Sequence, residues 1–192
     1  VADVHIVSEL GSQHVLGRPT IYIVADRASR MIVGMHVSLY HASWRAARQA
    51  LANSFLPKST YCKSFGVDIE DSEWPCAHIP KELVCDNGEM IGVQPKKALT
   101  PMTKLSFTPP YRPDCKGVVE KRFDIINKEV LHELPGTTRG GFVVRGHQDP
   151  RKVASYTLKE VTVEIIKAIL EHNRSILDGL AFSSPLLIEN DL

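Results

Sequence analysis

The stretch from Leu83 to Leu134 constrains the fold most, because it specifies a strand, a turn, a rigid loop and a helix in that order. A short apolar run over residues 83–85 stops at Asp86-Asn87-Gly88, and Asn-Gly is a strong turn signal. Residues 108–113 contain three prolines, which excludes regular structure there. Apolar residues then recur every three or four positions, which predicts a helix over residues 116–134. Asp86 is therefore expected at a strand end, and Glu120 off the apolar stripe of that helix.

The remainder of the chain predicts further strands and helices around this stretch. A Thr-x-x-Glu pattern starting at Thr157 is a capping box and marks the start of a helix that runs to about residue 174. Ser43 is placed as the N-cap of an earlier helix, and Asp26 is placed in the turn of a hairpin. The predicted strands are residues 2–7, 20–25, 31–39, 83–85 and 104–107, and the other helix is 44–56. This order predicts an α/β domain with a mixed sheet covered by helices.

Three segments are expected along the chain. Residues 1–134 would form the core, residues 135–156 a Gly- and Pro-containing loop with a small hairpin at 141–145, and residues 157–192 a helix and a tail leading towards another domain. At 192 residues and 43% hydrophobic composition, the chain is long enough for one domain with a real core. The absence of a signal peptide or long apolar span leads us to expect a soluble, cytoplasmic piece of a longer protein, with no membrane partner.

Charge and cysteine usage narrow the class of partner. The net charge is +1, but residues 66–90 hold seven acids and one base, whereas residues 96–174 hold fifteen bases and nine acids. This separation allows a polyanionic partner on one surface, and solvated charge on unrelated faces explains it equally well.

The cysteines form no CxxC pair, which favours reduced thiols over a disulfide framework or a zinc site. They are Cys62, Cys76, Cys85 and Cys115.

The carboxylates offer the best lead to chemistry, because no phosphate-binding glycine motif is present. Asp3 lies in the first predicted strand and Asp86 ends the fourth, so neighbouring strands would point both at one sheet edge. Glu120 would approach from its helix. Three acids at one point repel one another, and a divalent cation removes that conflict. Oxygen-only ligands suit Mg²⁺ or Mn²⁺, and two such ions stabilise the attacking and leaving oxygens of a phosphoryl displacement.

The same stretch resembles the catalytic core of the retroviral integrase and DDE transposase superfamily. The last two acids of that family lie about thirty-five positions apart, and here the separation is 120 − 86 = 34. Asp3 matches the position of the family's first acid. The motifs that carry the resemblance are Val84-Cys85-Asp86-Asn87-Gly88, Pro110-Tyr111-Arg112-Pro113 and Lys116-Gly117-Val118-Val119-Glu120. The resemblance implies an RNase H-like fold with a five-stranded mixed sheet, helices on both faces, and its first and fourth strands adjacent. It also implies two Mg²⁺ ions held by Asp3, Asp86 and Glu120.

Within this superfamily the sequence is most similar to the TnsB family, the strand-transfer subunits of Tn-seven-like transposons. Its Gly17-Arg18-Pro19 and Glu73-Trp74-Pro75-Cys76 segments carry that likeness. The resemblance implies a transposase core that cleaves the 3′ ends of transposon DNA and joins them to target DNA by metal-dependent transesterification. It implies as partners both DNAs, further copies of the chain and other transposition proteins. The alternatives are an RNase H-like nuclease without strand transfer and a non-catalytic DNA-binding or assembly module.

Several other side chains have a DNA-binding interpretation beside a structural one. Phosphate contact is one interpretation of the basic residues near Glu120, and ordinary solvent exposure of a Lys-rich helix is the other. Tyr111 either stacks on DNA or packs within its own loop. Asp26 is expected to tether its turn through Ser29 or Arg30, and Trp44 and Trp74 are expected to pack rather than bind bases. The candidate DNA contacts are Lys116, Lys121, Arg122, Lys128, Tyr111 and Arg112.

Overall fold

The chain folds into short strands and helices in a computed structural model, which describes residues 1–85, 88, 90–108, 117–139, 148–176 and 183–186. The strands are β1 (Ile6–Ser8), β2 (Gly11–Gly17), β3 (Thr20–Ala25), β4 (Ile32–Ser38), β5 (Glu82–Cys85) and β6 (Lys104–Phe107). The helices are α1 (Trp44–Phe55), α2 (Lys58–Ser64), α3 (Val93–Leu99), α4 (Gly117–Ile126), α5 (Pro150–Val153) and α6 (Leu158–Arg174). A 3₁₀ turn spans Asp71–Glu73, and a π-helical turn spans Asn127–Leu131 directly after α4.

The described strands pair two by two. The β1–β2 and β3–β4 pairs are antiparallel, and the β5–β6 pair is parallel. The α/β class holds, but the expected five-stranded mixed sheet of an RNase H-like fold is wrong for the residues described. One reason is that the backbone N–H groups near β1 have other partners. His5 donates to the carbonyl of Gly136 and Val7 to that of Tyr156, both at 2.9 Å, so neither bonds to β5.

The β3–β4 hairpin is closed by a polar turn. Oδ2 of Asp26 accepts hydrogen bonds from the backbone N–H of Ser29 at 2.6 Å and from its hydroxyl at 2.9 Å. Arg30 follows with φ of 61°, a left-handed conformation that few residues other than glycine adopt. The predicted tethering role of Asp26 is thereby confirmed.

Two hydrophobic cores hold these elements together. In the larger core, one face of α6 packs against β1 and β4, and the capping box predicted at Thr157 and Glu160 is present. Trp74 also lies in this core, where its indole N–H donates to the carbonyl of Ile32 at 2.8 Å, so its predicted packing role is confirmed. In the smaller core, α1 and α3 pack against β5, and Trp44 lies at its margin.

Sequence patterns missed several elements. Residues 9–19 were expected to be a loop, but β2 lies there, because pairing with β1 supplies the order that its Gly- and polar-rich sequence lacks. The short helices α2 and α3 and the turn of α5 were also not predicted. The expected hairpin at 141–145 lies outside the described residues. No helix in the described ranges is both long and apolar enough to cross a membrane.

Candidate functional site at the α4 helix

The first turn of α4 projects into solvent. Glu120 and Lys121 are exposed, as predicted for residues off the apolar stripe. Val119 was expected to lie on that stripe, yet its side chain is 43% exposed. Among the residues described, none forms a hydrogen bond or ion pair with the Glu120 carboxylate. This end of the helix therefore presents an exposed carboxylate beside an exposed ammonium group.

The other end of the same helix is buried and irregular. The N–H of His132 donates to the carbonyl of Asn127 at 2.8 Å, a bond over five residues that defines a π turn. Ile126 and Leu131 are fully buried, and they too are five positions apart. A strict 3.6-residue period cannot place both on one face, so the stripe predicted from sequence diverged from the observed one.

Asp3 is the polar centre of the buried end. Its Oδ1 accepts a 2.6 Å hydrogen bond from the guanidinium of Arg18, and its Oδ2 lies 3.2 Å from Nε2 of His132. The Asp3 backbone N–H points to the side-chain oxygen of Asn127 at 3.3 Å. The Asp3 carbonyl accepts from the N–H of Thr138 at 2.7 Å. Asp3 thus links the start of the chain to Arg18 before β3, to the π turn and to Thr138 after that turn.

His5 lies two residues after Asp3. Burial lowers its pKa, and the positive charges of Arg151 and Arg18 lower that pKa further, which outweighs the opposing effect of Asp149.

Asp3 contacts the π turn, at the opposite end of α4 from Glu120. Asp3 contacts the helix at Asn127 and His132, whereas Glu120 lies seven residues before Asn127, about 10 Å along the axis. Carboxylates that share a Mg²⁺ ion must each reach within about 2.1 Å of it. Both Asp3 oxygens are also occupied by cationic or N–H groups. The expected ligand set of Asp3, Asp86 and Glu120 stays a prediction, because Asp86 lies outside the described residues.

Other expected site residues fall into two groups. Asp86, Tyr111, Arg112 and Lys116 lie outside the described residues. Arg122 is only 2% exposed, and its Nε donates to the carbonyl of Arg30, so it braces the β3–β4 turn instead of facing DNA. Lys128 is exposed but paired with Asp124 at 2.6 Å. The described part of the chain contains no cluster of three His, Cys, Asp or Glu side chains arranged for a metal.

A basic groove between α3 and β6 was not predicted as a site. This α3–β6 groove has a volume of about 450 Å³ and offers two ammonium groups, the hydroxyl group of Thr100 and an aromatic ring. The adjacent lysines Lys96 and Lys97 are the sequence signal that could have indicated it. Its lining residues are Lys96, Thr100, Thr103, Lys104, Leu105 and Phe107.

Comparison with known proteins identifies the family. Residues 1–136 match the profile of the TnsB C-terminal domain. The chain belongs to the TnsB C-terminal domain family. It is 34% identical over 175 residues to the transposon Tn7 transposition protein TnsB of Escherichia coli, an alignment that covers 90% of this chain. The chain spans about a quarter of the length of that relative, since the alignment covers 25% of it. The matched residues 1–136 include the α4 helix, Gly117–Ile126.

Proposed function

We propose that this chain is a DNA-binding and assembly part of a TnsB-type transposase. Membership of the TnsB C-terminal domain family is the observation that carries this proposal. Transposon-end DNA, target DNA, further copies of the chain and other proteins of the same element are the proposed partners. The chain needs no complete catalytic site for this role.

The α3–β6 groove is the proposed contact for the DNA backbone. Lys96 is exposed at the groove, and Lys104 is also exposed although it pairs with Glu82 at 3.1 Å. An exposed ion pair of this kind contributes little to stability, so a phosphate can replace Glu82 as the partner of Lys104 at small cost. The hydroxyl group of Thr100 supplies a further hydrogen-bond donor for a phosphate oxygen. The Thr103 hydroxyl is buried and already donates to the carbonyl of Pro80 at 2.7 Å.

Salt dependence of DNA binding tests this contact. Each phosphate neutralised by a lysine releases counterions and adds about 0.9 to the slope of log K against log salt. The Lys96→Ala/Lys104→Ala double variant should therefore lose nearly two units of slope, as measured by fluorescence anisotropy with duplex DNA between about 50 and 200 mM salt.

The matched control replaces two exposed lysines elsewhere, Lys63→Ala and Lys159→Ala, and should leave the slope nearly unchanged. Equal slopes in the groove variant and in the wild type would remove the groove from the interface. Absence of DNA binding by the wild-type chain at every salt concentration would contradict the proposed function itself.

A second candidate is the catalytic one, in which the chain supplies acids to metal-dependent end cleavage and joining. The observation that favours it is the exposed Glu120 on the first turn of α4, which bonds to none of the described side chains and lies 34 positions after Asp86, as in the DDE superfamily. The proposed cofactor is Mg²⁺, with Mn²⁺ as a substitute. The acids in this proposal are Asp86 and Glu120, because the Asp3 carboxylate is paired with Arg18 and lies 3.2 Å from His132.

Strand-transfer assays distinguish the two candidates. In the full-length protein with Mg²⁺ and transposon-end DNA, the catalytic candidate predicts loss of joined product in both Asp86→Asn and Glu120→Gln. Undiminished joining by these two variants would leave the DNA-binding and assembly role alone. Cleaved ends that are never joined to a second duplex would indicate a nuclease without strand transfer.

A further inference from the structure

The π turn after α4 is held by a single residue from the opposite end of the sequence. Asp3 contacts Asn127 through its backbone N–H and His132 through its carboxylate. These two helix residues are five positions apart. On an α-helix with 3.6 residues per turn, such residues would lie about 140° apart around the axis. Both therefore reach Asp3 only because the turn between them is π-helical.

Arg18 fixes the orientation of the Asp3 side chain that this contact requires. Its guanidinium donates to the carbonyl of Ala2 and to Oδ1 of Asp3, each at 2.6 Å. That geometry leaves Oδ2 directed at His132. The side chain of Asp3 is 18% exposed and that of His132 is 23% exposed, so water competes only weakly for this contact.

We propose that Asp3 is a positioning residue: by clamping Asn127 and His132 it holds the π turn, and the π turn sets the direction in which Glu120 projects. A π turn contains one residue more than the α-helical path it replaces. Conversion to a regular α-helix would rotate the preceding helix by about 100° and shift it by about 1.5 Å. Glu120 and Lys121 would then face a different side of the molecule.

This role accounts for the presence of Asp3 through its contacts with the π turn and does not require Asp3 to bind a metal. The helix geometry stands independently of any activity, and its effect on strand transfer rests on the catalytic candidate proposed for Glu120. Tests of the clamp therefore need a readout of helix orientation and not only of activity.

A distance between two spin labels provides that readout. One label is attached at Lys121→Cys on α4 and the other at Gln49→Cys on the exposed face of α1, in the whole chain with Cys85→Ser and Cys115→Ser. Cys62 and Cys76 are buried and stay in place. Deletion of Glu129, an exposed residue of the π turn, should produce the α-helical register. Given a helix diameter of about 10–12 Å, the label distance should change by roughly 5–10 Å.

Asp3→Ala and Asn127→Ala should each populate the shifted distance, because each removes one side of the clamp. Glu129→Ala is the matched control and should keep the wild-type distance. Circular dichroism identifies folded variants, and Asn127→Ala with the Glu129 deletion still tests the proposal if Asp3→Ala does not fold.

An unchanged distance in the folded clamp variants would overturn the proposal. So would loss of Mn²⁺ binding in Asp3→Ala at an unchanged distance, because that result would make Asp3 a ligand. The distance measurement needs neither DNA nor metal, so its outcome is separate from the success of the proposed function.

Discussion

The two ends of α4 differ in nearly every physical property. At the end that leads into the π turn, Ile126 and Leu131 are buried in the larger core, and Asp3 provides polar contacts from another segment. At the beginning of the helix, Val119, Glu120 and Lys121 are exposed. The same helix is therefore fixed at one end and open to a partner at the other.

This difference shows how contacts at one end of a helix can set the direction of an exposed side chain, Glu120, at the other end. A helix transmits rotation along its axis because its hydrogen bonds are internal. Contacts at Asn127 and His132 consequently determine where Glu120 points, although about 10 Å or more separates them along the helix. The direction of the exposed Glu120 side chain thus depends on the hydrogen-bonded residues Asn127 and His132.

Truncation of buried side chains gives the largest expected difference between the two ends. Leu131 is 0% exposed, and Leu131→Ala should lower the free energy of unfolding by about 2–5 kcal/mol through lost burial and a new cavity. Val119→Ala at the open end should change that free energy by no more than about 0.5 kcal/mol. Urea denaturation of both variants provides the measurement, and similar losses in the two would contradict the comparison.

Local sequence patterns were sufficient for α6 and for the β3–β4 hairpin. The capping box at Thr157 and the apolar period of α6 predicted that helix, and the turn chemistry of Asp26 and Ser29 predicted the β3–β4 hairpin. Pairing of strands was not predictable in the same way. Besides the pairing of β1 with β2, His5 and Val7 donate to the carbonyls of Gly136 and Tyr156, and no local signal specifies contacts so distant in sequence.

The candidate site divides along the same line. The exposure of Glu120 followed from its position off the apolar stripe, whereas the role of Asp3 depends on partners 15 and 129 residues away. The π turn was also beyond sequence reasoning, because periodicity arguments assume 3.6 residues per turn. Arg122 is an example of a position that this assumption misplaced. It was expected to contact DNA, but it lies buried against the β3–β4 turn.

A pH titration probes a charge buried in the scaffold, away from the open end of α4. Lys58 is 1% exposed, and its ammonium group donates to the carbonyls of Ser54, Leu56 and Cys76. Burial lowers its pKa from 10.5 to about 8, against the opposing effects of Cys76, Cys62 and Asp71. Between these two values the unfolded chain binds more protons than the folded chain, so the contribution of Lys58 to stability rises with pH.

Between pH 8 and 9 the unfolding free energy of the wild type should therefore increase by about 1 kcal/mol relative to that of Lys58→Met. Burial raises the pKa of Cys62 to about 11, so this thiol changes stability with pH in the opposite direction. Its contribution is present in both the wild type and Lys58→Met, so subtracting their unfolding free energies removes it. Urea denaturation at the two pH values measures the effect, with the exposed Lys63→Met as the matched control. An equal pH response in Lys58→Met and Lys63→Met would show that Lys58 is solvated in solution. The difference in solvent exposure between the buried scaffold around Lys58 and the exposed start of α4 would then be smaller than the structure indicates.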